Sequence, residues 1–180
     1  MAYNNPMKII LCFLALITLD VEAHQLLFKL KNKDVAAVSI EKIKTGALSY
    51  NRTVLASSVV KTFNVYRGHE REYLGYDLFG LLDAIYGTSW RTQKRITFTA
   101  ADGNSQISLI ADMLKAAKGK KGHLAYAENG KTGFTFVEKD GHKIDPAPLC
   151  LVWSNYSAKD KPSLADPLKW PYQLAVIIID

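Results

Sequence analysis

The sequence predicts an α+β fold, a mixed and mainly antiparallel sheet carrying a few short helices. Strand-like runs outnumber helical ones along the 180 residues. The helical patterns stand isolated between strands instead of alternating with them, which argues against a doubly wound parallel sheet. Asn-Gly and Asp-Gly dipeptides punctuate the second half, as hairpins require.

The elements follow in order. Leu26–Leu30 reads as an opening strand, and Val38–Ile43 fits either a short strand or a helix. Val54–Tyr66 is rich in β-branched and aromatic residues and predicts a strand, with "RGHE" at 67–70 as the turn and Glu72–Tyr76 as the returning strand. "YDLFGLLDAIYG" is the clearest helix. Asp77 suits the N-cap, Leu78, Leu81, Leu82 and Ile85 share one face, and Gly87 suits the C-terminal stop. Gly80 inside that helix costs about 1 kcal/mol relative to Ala and therefore signals close packing. A strand at 95–100 ends in Asp102-Gly103-Asn104. A second helix is expected over 109–117, with Leu109, Ile110, Met113 and Leu114 inward. "HLAYAENG" reads as a strand entering an Asn-Gly turn, and "GFTFVEKDGHKI" as a strand followed by an Asp-Gly turn, the two suggesting a hairpin. "IDPAP" is an extended connector. "LCLVWS" is a buried strand, 154–171 a polar loop with three prolines, and "YQLAVIIID" a closing strand covered on both faces.

Residues 1–23 read as a secretory signal peptide. Lys8 gives a short basic flank, Ile9–Leu19 is an apolar run too short to span a bilayer, and Val21-Glu22-Ala23 offers a cleavage site. Residues 24–180 are then one domain, periplasmic or secreted, with no stable membrane span after cleavage. The net charge of +6 becomes +7 once Lys8, Asp20 and Glu22 are removed. Apart from a small cluster at Lys115, Lys118, Lys120 and Lys121 the charges are spread out, and no zinc-finger spacing occurs, which argues against nucleic acid as a partner. Such a surface suits an acidic partner or an anionic ligand.

Cleavage leaves Cys150 as the only cysteine, so no intrachain disulfide forms. Its apolar setting reads as a core thiol, because burial raises a thiol pKa and suppresses the nucleophile. The four histidines lie far apart in sequence, without metal-ligand spacing or an acidic cluster. If His24 leads the mature chain, its amine and imidazole offer a copper chelate. No nucleophile elbow or P-loop is present.

Three groups are candidate ligand-binding residues. Strand alternation puts Arg67, His69 and Arg71 on one face, able to hold an anion by charge-assisted hydrogen bonds, or else to form cross-strand ion pairs. Asp102, Gly103 and Asn104 either only turn the chain or line a cleft. Asn129 leads the Asn-Gly turn, and Trp170-Pro171-Tyr172 is suited to a cleft wall.

The order "GYDLFGLLDAIYG", "ITFTAADGN", "HLAYAENG", "LCLVWSN" and "WPYQLAVIII" resembles the oxidoreductase molybdopterin-binding domain of the sulfite oxidase family, in its small exported version sometimes joined to c-type cytochromes. The resemblance covers roughly residues 55–180 and rests on the order and spacing of short motifs. It implies that fold, a cleft-facing role for Asp102-Gly103 and for the loop after Asn129-Gly130, and a redox protein such as a c-type cytochrome as partner. The family's Tyr after Asp-Gly is Asn104 here. Catalytic members carry a molybdenum-ligating cysteine before the helix, and "TFNVYRGHERE" has none. The resemblance therefore implies a binding or accessory module of periplasmic redox metabolism without cofactor. The alternative is a molybdopterin oxidoreductase whose cofactor is held by the Asp102 loop and the Arg67–Arg71 hairpin.

Overall fold

In the computed structural model, residues 24–139 and 141–180 are described. The signal-peptide reading falls outside them. The fold is α+β, with two five-stranded sheets, two small hairpins and three short helices.

The first sheet joins β1 (Gln25–Leu30), β2 (Lys33–Ser39), β7 (Arg95–Ala100), β8 (Ser105–Leu109) and β14 (Leu174–Ile179) in the order β2-β1-β14-β7-β8. Only the β1–β14 pair is parallel. That makes the C-terminal strand central, and its residues are buried or half-buried on both faces, as its apolar sequence predicts. The second sheet is antiparallel. It runs from β5 (Ser58–Asn64) through β6 (His69–Asp77) to β9 (Gly122–Glu128), which also pairs with β10 (Lys131–Thr132) and β13 (Cys150–Trp153). The Thr62 hydroxyl on β5 donates to the Trp153 carbonyl on β13 at 2.9 Å. This sheet is thus curled until its outer strands meet. The hairpins are β3 (Ala47–Tyr50) with β4 (Thr53–Ala56), and β11 (Val137–Lys139) with β12 (His142–Ile144).

One continuous core draws on both sheets and on the helices α1 (Ile40–Lys44), α2 (Leu78–Tyr86) and α3 (Ile110–Ala116). α2 follows its sequence closely. The Asp77 carboxylate accepts from the Gly80 N–H at 2.7 Å, and Leu78, Leu81, Leu82 and Ile85 are buried. Each such leucine contributes about 1.5–3 kcal/mol of burial. Gly87 ends the helix at a φ of 68°. The close packing expected at Gly80 is present, since a Cβ there would stand 3.0 Å from the capping Asp77 oxygen. The Tyr86 hydroxyl, 3.1 Å from the Lys29 carbonyl and 3.0 Å from that of Ile177, ties the helix end to the parallel pair. Among the described residues no helix is long and apolar enough to cross a membrane.

Several boundaries differ from the sequence expectation. Val38–Ile43 is both of its readings in turn, strand to Ser39 and helix from Ile40. The run 54–66 is two strands, because the Ser57 N–H bonds the Gly46 carbonyl and leaves the ladder. The turn expected at 67–70 lies earlier, since the Asn64 carbonyl accepts from Arg67 and Gly68 and its side chain accepts from Tyr66 and Arg67. β8 lies where the sequence reading names no strand, between the Asp-Gly-Asn tip and the helix expected from Leu109. Its polar residues Gln106 and Ser108 are the less exposed ones, Ser108 donating to the Pro167 carbonyl at 2.5 Å. Leu109, expected inside a helix, therefore ends the strand and is 47% exposed.

Two expected outcomes follow from packing. Gly75 sits at the β6–β9 register shift, where an added Cβ would stand 2.3 Å from the Leu124 carbonyl oxygen. Backbone atoms cannot swing aside, so Gly75→Ala should lower unfolding free energy by about 1–3 kcal/mol in urea titrations, the range for overpacking; unchanged stability would refute the close approach. His123 is buried on β9 with its Nδ1 unpartnered. Burial pushes its pKa down, Asp77 opposes this, and Lys121 adds to it. As pH falls through about 6.5 the unfolded chain takes up this proton before the folded one. Stability is therefore complete above that pH and lost below it. His123→Gln should flatten the loss between about pH 7.5 and about pH 5.5, where one histidine contributes at most about 1.4 kcal/mol per pH unit; parallel slopes would contradict this.

Candidate functional site

The β5–β6 turn sends consecutive residues in opposite directions. Val65 is buried, Tyr66 is 43% exposed, and the Arg67 side chain is only 3% exposed. Asn64 fixes this geometry, because its side-chain oxygen accepts from the Tyr66 and Arg67 N–H groups at 3.0 and 3.2 Å and its amide donates to the Tyr73 hydroxyl at 2.7 Å.

Inward, Arg67 meets Glu128 on β9. Arg67 Nη1 is 3.3 Å from Glu128 Oε1, and Arg67 Nη2 donates to the Thr135 carbonyl at 2.8 Å. The Thr135 N–H donates to the other carboxylate oxygen of Glu128 at 2.7 Å. Arg71 completes the group with its Nε 3.3 Å from Glu128 Oε1 and 2.5 Å from His69 Nε2. His69 Nδ1 lies 2.8 Å from the Arg67 carbonyl. Arg67, His69 and Arg71 thus come together as their spacing suggests, around a buried carboxylate. Two guanidinium groups face one carboxylate, an excess of one positive charge. Cys150 and Tyr73 lie close by, and burial pushes both pKa values up, so neither supplies a compensating anion.

This arrangement also explains a loop. A strand was expected from Gly133 onward, yet 133–136 form no continuous ladder. The Thr135 N–H and C=O are taken by Glu128 and Arg67 instead of a neighbouring strand. Asn129 stands at a φ of 52° and exchanges hydrogen bonds with Glu72, its N–H to the Glu72 carbonyl at 2.8 Å and its side-chain oxygen from the Glu72 N–H at 3.1 Å.

Outward, Tyr66 joins a cleft of about 620 Å³. Its walls are the β7–β8 turn with Asp102 and Asn104, the β11–β12 hairpin with Glu138, and the segment from Lys169 to Gln173. The Asp102 carboxylate accepts from the Asn104 N–H at 2.9 Å and Gly103 takes a φ of 85°, so this tip is a side-chain-stabilised turn that also faces the cleft. Trp170 packs edge-on to Tyr66 at 6.1 Å and to Tyr156 at 5.3 Å. Tyr172 lines the cleft with its ring while its buried, unpartnered hydroxyl faces Arg67 and Asn64. The ring stands between the cleft and the arginines, and the two groups of predicted residues are neighbours separated by it. Among the described residues, the charged ones lining the cleft are Asp102, Glu138 and Lys169, with Lys169 Nζ held 2.7 Å from the Leu164 carbonyl. Aromatic faces beside amides and hydroxyls suit a ligand with an apolar face and several hydrogen-bonding groups.

Sequence reasoning missed Glu128, Tyr66 and Lys169. Glu128 alone had a readable signal, a single acid ending the otherwise apolar "HLAYAE". Among the described residues no three of His, Cys, Asp and Glu converge as metal ligands.

No protein-family model matches this chain, and no curated protein matches it. Among solved structures, the chain is similar to the crystal structure of the sulfane dehydrogenase SoxCD from Paracoccus pantotrophus, with a TM-score of 0.49 and 14% identity over 87% of this chain. The match covers 38% of that protein's length.

Proposed function

We propose that this chain is an exported, sulfite-oxidase-like domain that works as a binding or accessory module in periplasmic redox metabolism, without catalytic molybdenum and alongside a redox protein such as a c-type cytochrome. The order of its motifs supports the family reading, from the α2 helix through Asp102-Gly103 and Leu124-Ala125-Tyr126 to Trp170-Pro171-Tyr172.

The observation that carries the metal-free reading is the state of the thiol. A molybdenum ligand must be a reachable, deprotonated sulfur. Cys150 is 1% exposed, paired with Ala125 in the centre of the curled sheet, and burial pushes its pKa up. The cleft is also a poor match to a phosphate-bearing pterin, since Asp102 and Glu138 outnumber Lys169 on its walls. These residues do not fit a molybdopterin. They suit an uncharged or cationic ligand held against Tyr66, Trp170 and Tyr172.

Protein purified from its native host should contain molybdenum and pterin far below one equivalent, measured by elemental analysis and by fluorescence of the oxidised pterin. Stoichiometric amounts of both would establish the cofactor-bearing oxidoreductase instead. A thermal-shift screen of sugars, amino acids and heterocycles should return ligands whose stabilisation disappears in Tyr66→Ala; loss of no shift in that variant would move binding away from the cleft.

A further inference from the structure

A second concavity, of about 650 Å³, lies on the far side of β8 and is framed by α3. It shares only Ile107 and Lys169 with the cleft. Its apolar floor comes from Leu109, Ala116, Ala165 and Pro167 together with Ile107. β8 turns its apolar residues outward, leaving Ile107 52% and Leu109 47% exposed, and Leu164 beside the cleft is 94% exposed. β8 is also an edge strand, and its sequence SQISL carries none of the charges or prolines that guard such edges. The opposite edge strand, β2, carries Lys33 and Asp34.

Positive charge surrounds this apolar ground. Lys115 and Lys169 line the groove together with one acid, Asp112. Beyond α3, the Lys121 N–H bonds the Ser154 hydroxyl and Lys120 pairs with Asp160, which brings Lys118–Lys121 beside Lys159 and Lys161. Segments 112–121 and 159–169 hold seven lysines and three aspartates, +4 of the +7 carried by residues 24–180. Two of those aspartates are already engaged, Asp160 by Ser157 and Lys120 and Asp166 by the Tyr156 hydroxyl and the Leu168 N–H.

We propose that this groove docks an acidic segment of a partner protein, its leucine-sized side chains filling the floor and its carboxylates facing the lysine rim. Charge complementarity sets the sign of the partner. The free edge of β8 sets its class, because an extended acidic segment can add to that edge through backbone hydrogen bonds, which a bilayer cannot. An apolar floor inside a charged rim is the anatomy of a protein–protein contact.

The test uses a fluorescent peptide of about a dozen residues alternating Glu and Leu, a matched Glu–Ser peptide, and vesicles of phosphatidylglycerol and phosphatidylcholine, each titrated with the full mature chain. The variants are Leu109→Ser, which suits the N-cap position that Leu109 occupies, and Lys115→Glu. Neither residue lines the cleft, so the outcome is independent of the ligand reading above. The Glu–Leu peptide should bind, weaken with added salt, and lose about tenfold or more in affinity in each variant, equal to about 1.4 kcal/mol. Equal binding of the Glu–Ser peptide, wild-type affinity in both variants, or binding to vesicles alone would overturn the proposal, the last assigning the surface to a membrane.

Discussion

A carboxylate buried between two guanidinium groups holds this molecule together at its least regular point. Glu128 is 3% exposed and reaches both Arg67 and Arg71. Removing the carboxylate strands the Arg67 charge in the interior, which costs about 3–5 kcal/mol. That is a large part of the roughly 5–15 kcal/mol by which domains are stable. The same group ties the backbone of Thr135, which lies outside the strands, to the turn after β5 and the end of β9. The curled sheet supplies the frame, and the ion pair fastens the loop that crosses it.

The cleft depends on this arrangement. Tyr66 and Arg67 are adjacent, and the Asn64 side chain that directs one inward leaves the other on the cleft wall. Tyr172 then lines the cleft while its hydroxyl faces Arg67 and Asn64. The spacing of Arg67, His69 and Arg71 allowed either an anion site or ion pairs across strands, and the two guanidinium groups face a carboxylate of the chain itself. What remains open to a ligand is aromatic and amide-rich. This division between a charged interior and a mainly uncharged cleft wall is the physical basis for reading the chain as a binding module.

The regular parts were legible in the sequence because local and tertiary preferences agree there. α2 has its cap, its apolar stripe and its terminating glycine in the expected positions, and the apolar closing strand is the central one. Alternation accounts for His69 and Arg71 on β6, whereas Arg67 lies in the preceding turn and is directed by Asn64; the Asp-Gly-Asn tip left open whether Asp102 and Asn104 only turn the chain or line a cleft. Glu128 was not legible, because its partners are 61 and 57 residues away and no local pattern joins them. β8 escaped notice for a related reason. Its inward positions are polar and its outward ones apolar, the reverse of ordinary patterning, and the inward Ser108 is satisfied by a carbonyl 59 residues distant. The segment 133–136 read as a strand because its aromatics and threonine favour one, and side-chain hydrogen bonds overrode that preference.

The central claim is that Arg67 and Glu128 act as a coupled pair in the interior, and a double-mutant cycle on unfolding free energy measures this most directly. Arg67→Met, Glu128→Leu and their combination should be unfolded in urea under identical conditions. Glu128→Leu is expected to cost about 3–5 kcal/mol because it strands Arg67, Arg67→Met less because Arg71 still faces Glu128, and the double change less than their sum by about 1–3 kcal/mol. Strict additivity, or single changes that cost almost nothing, would contradict the account and make the contact incidental to the fold.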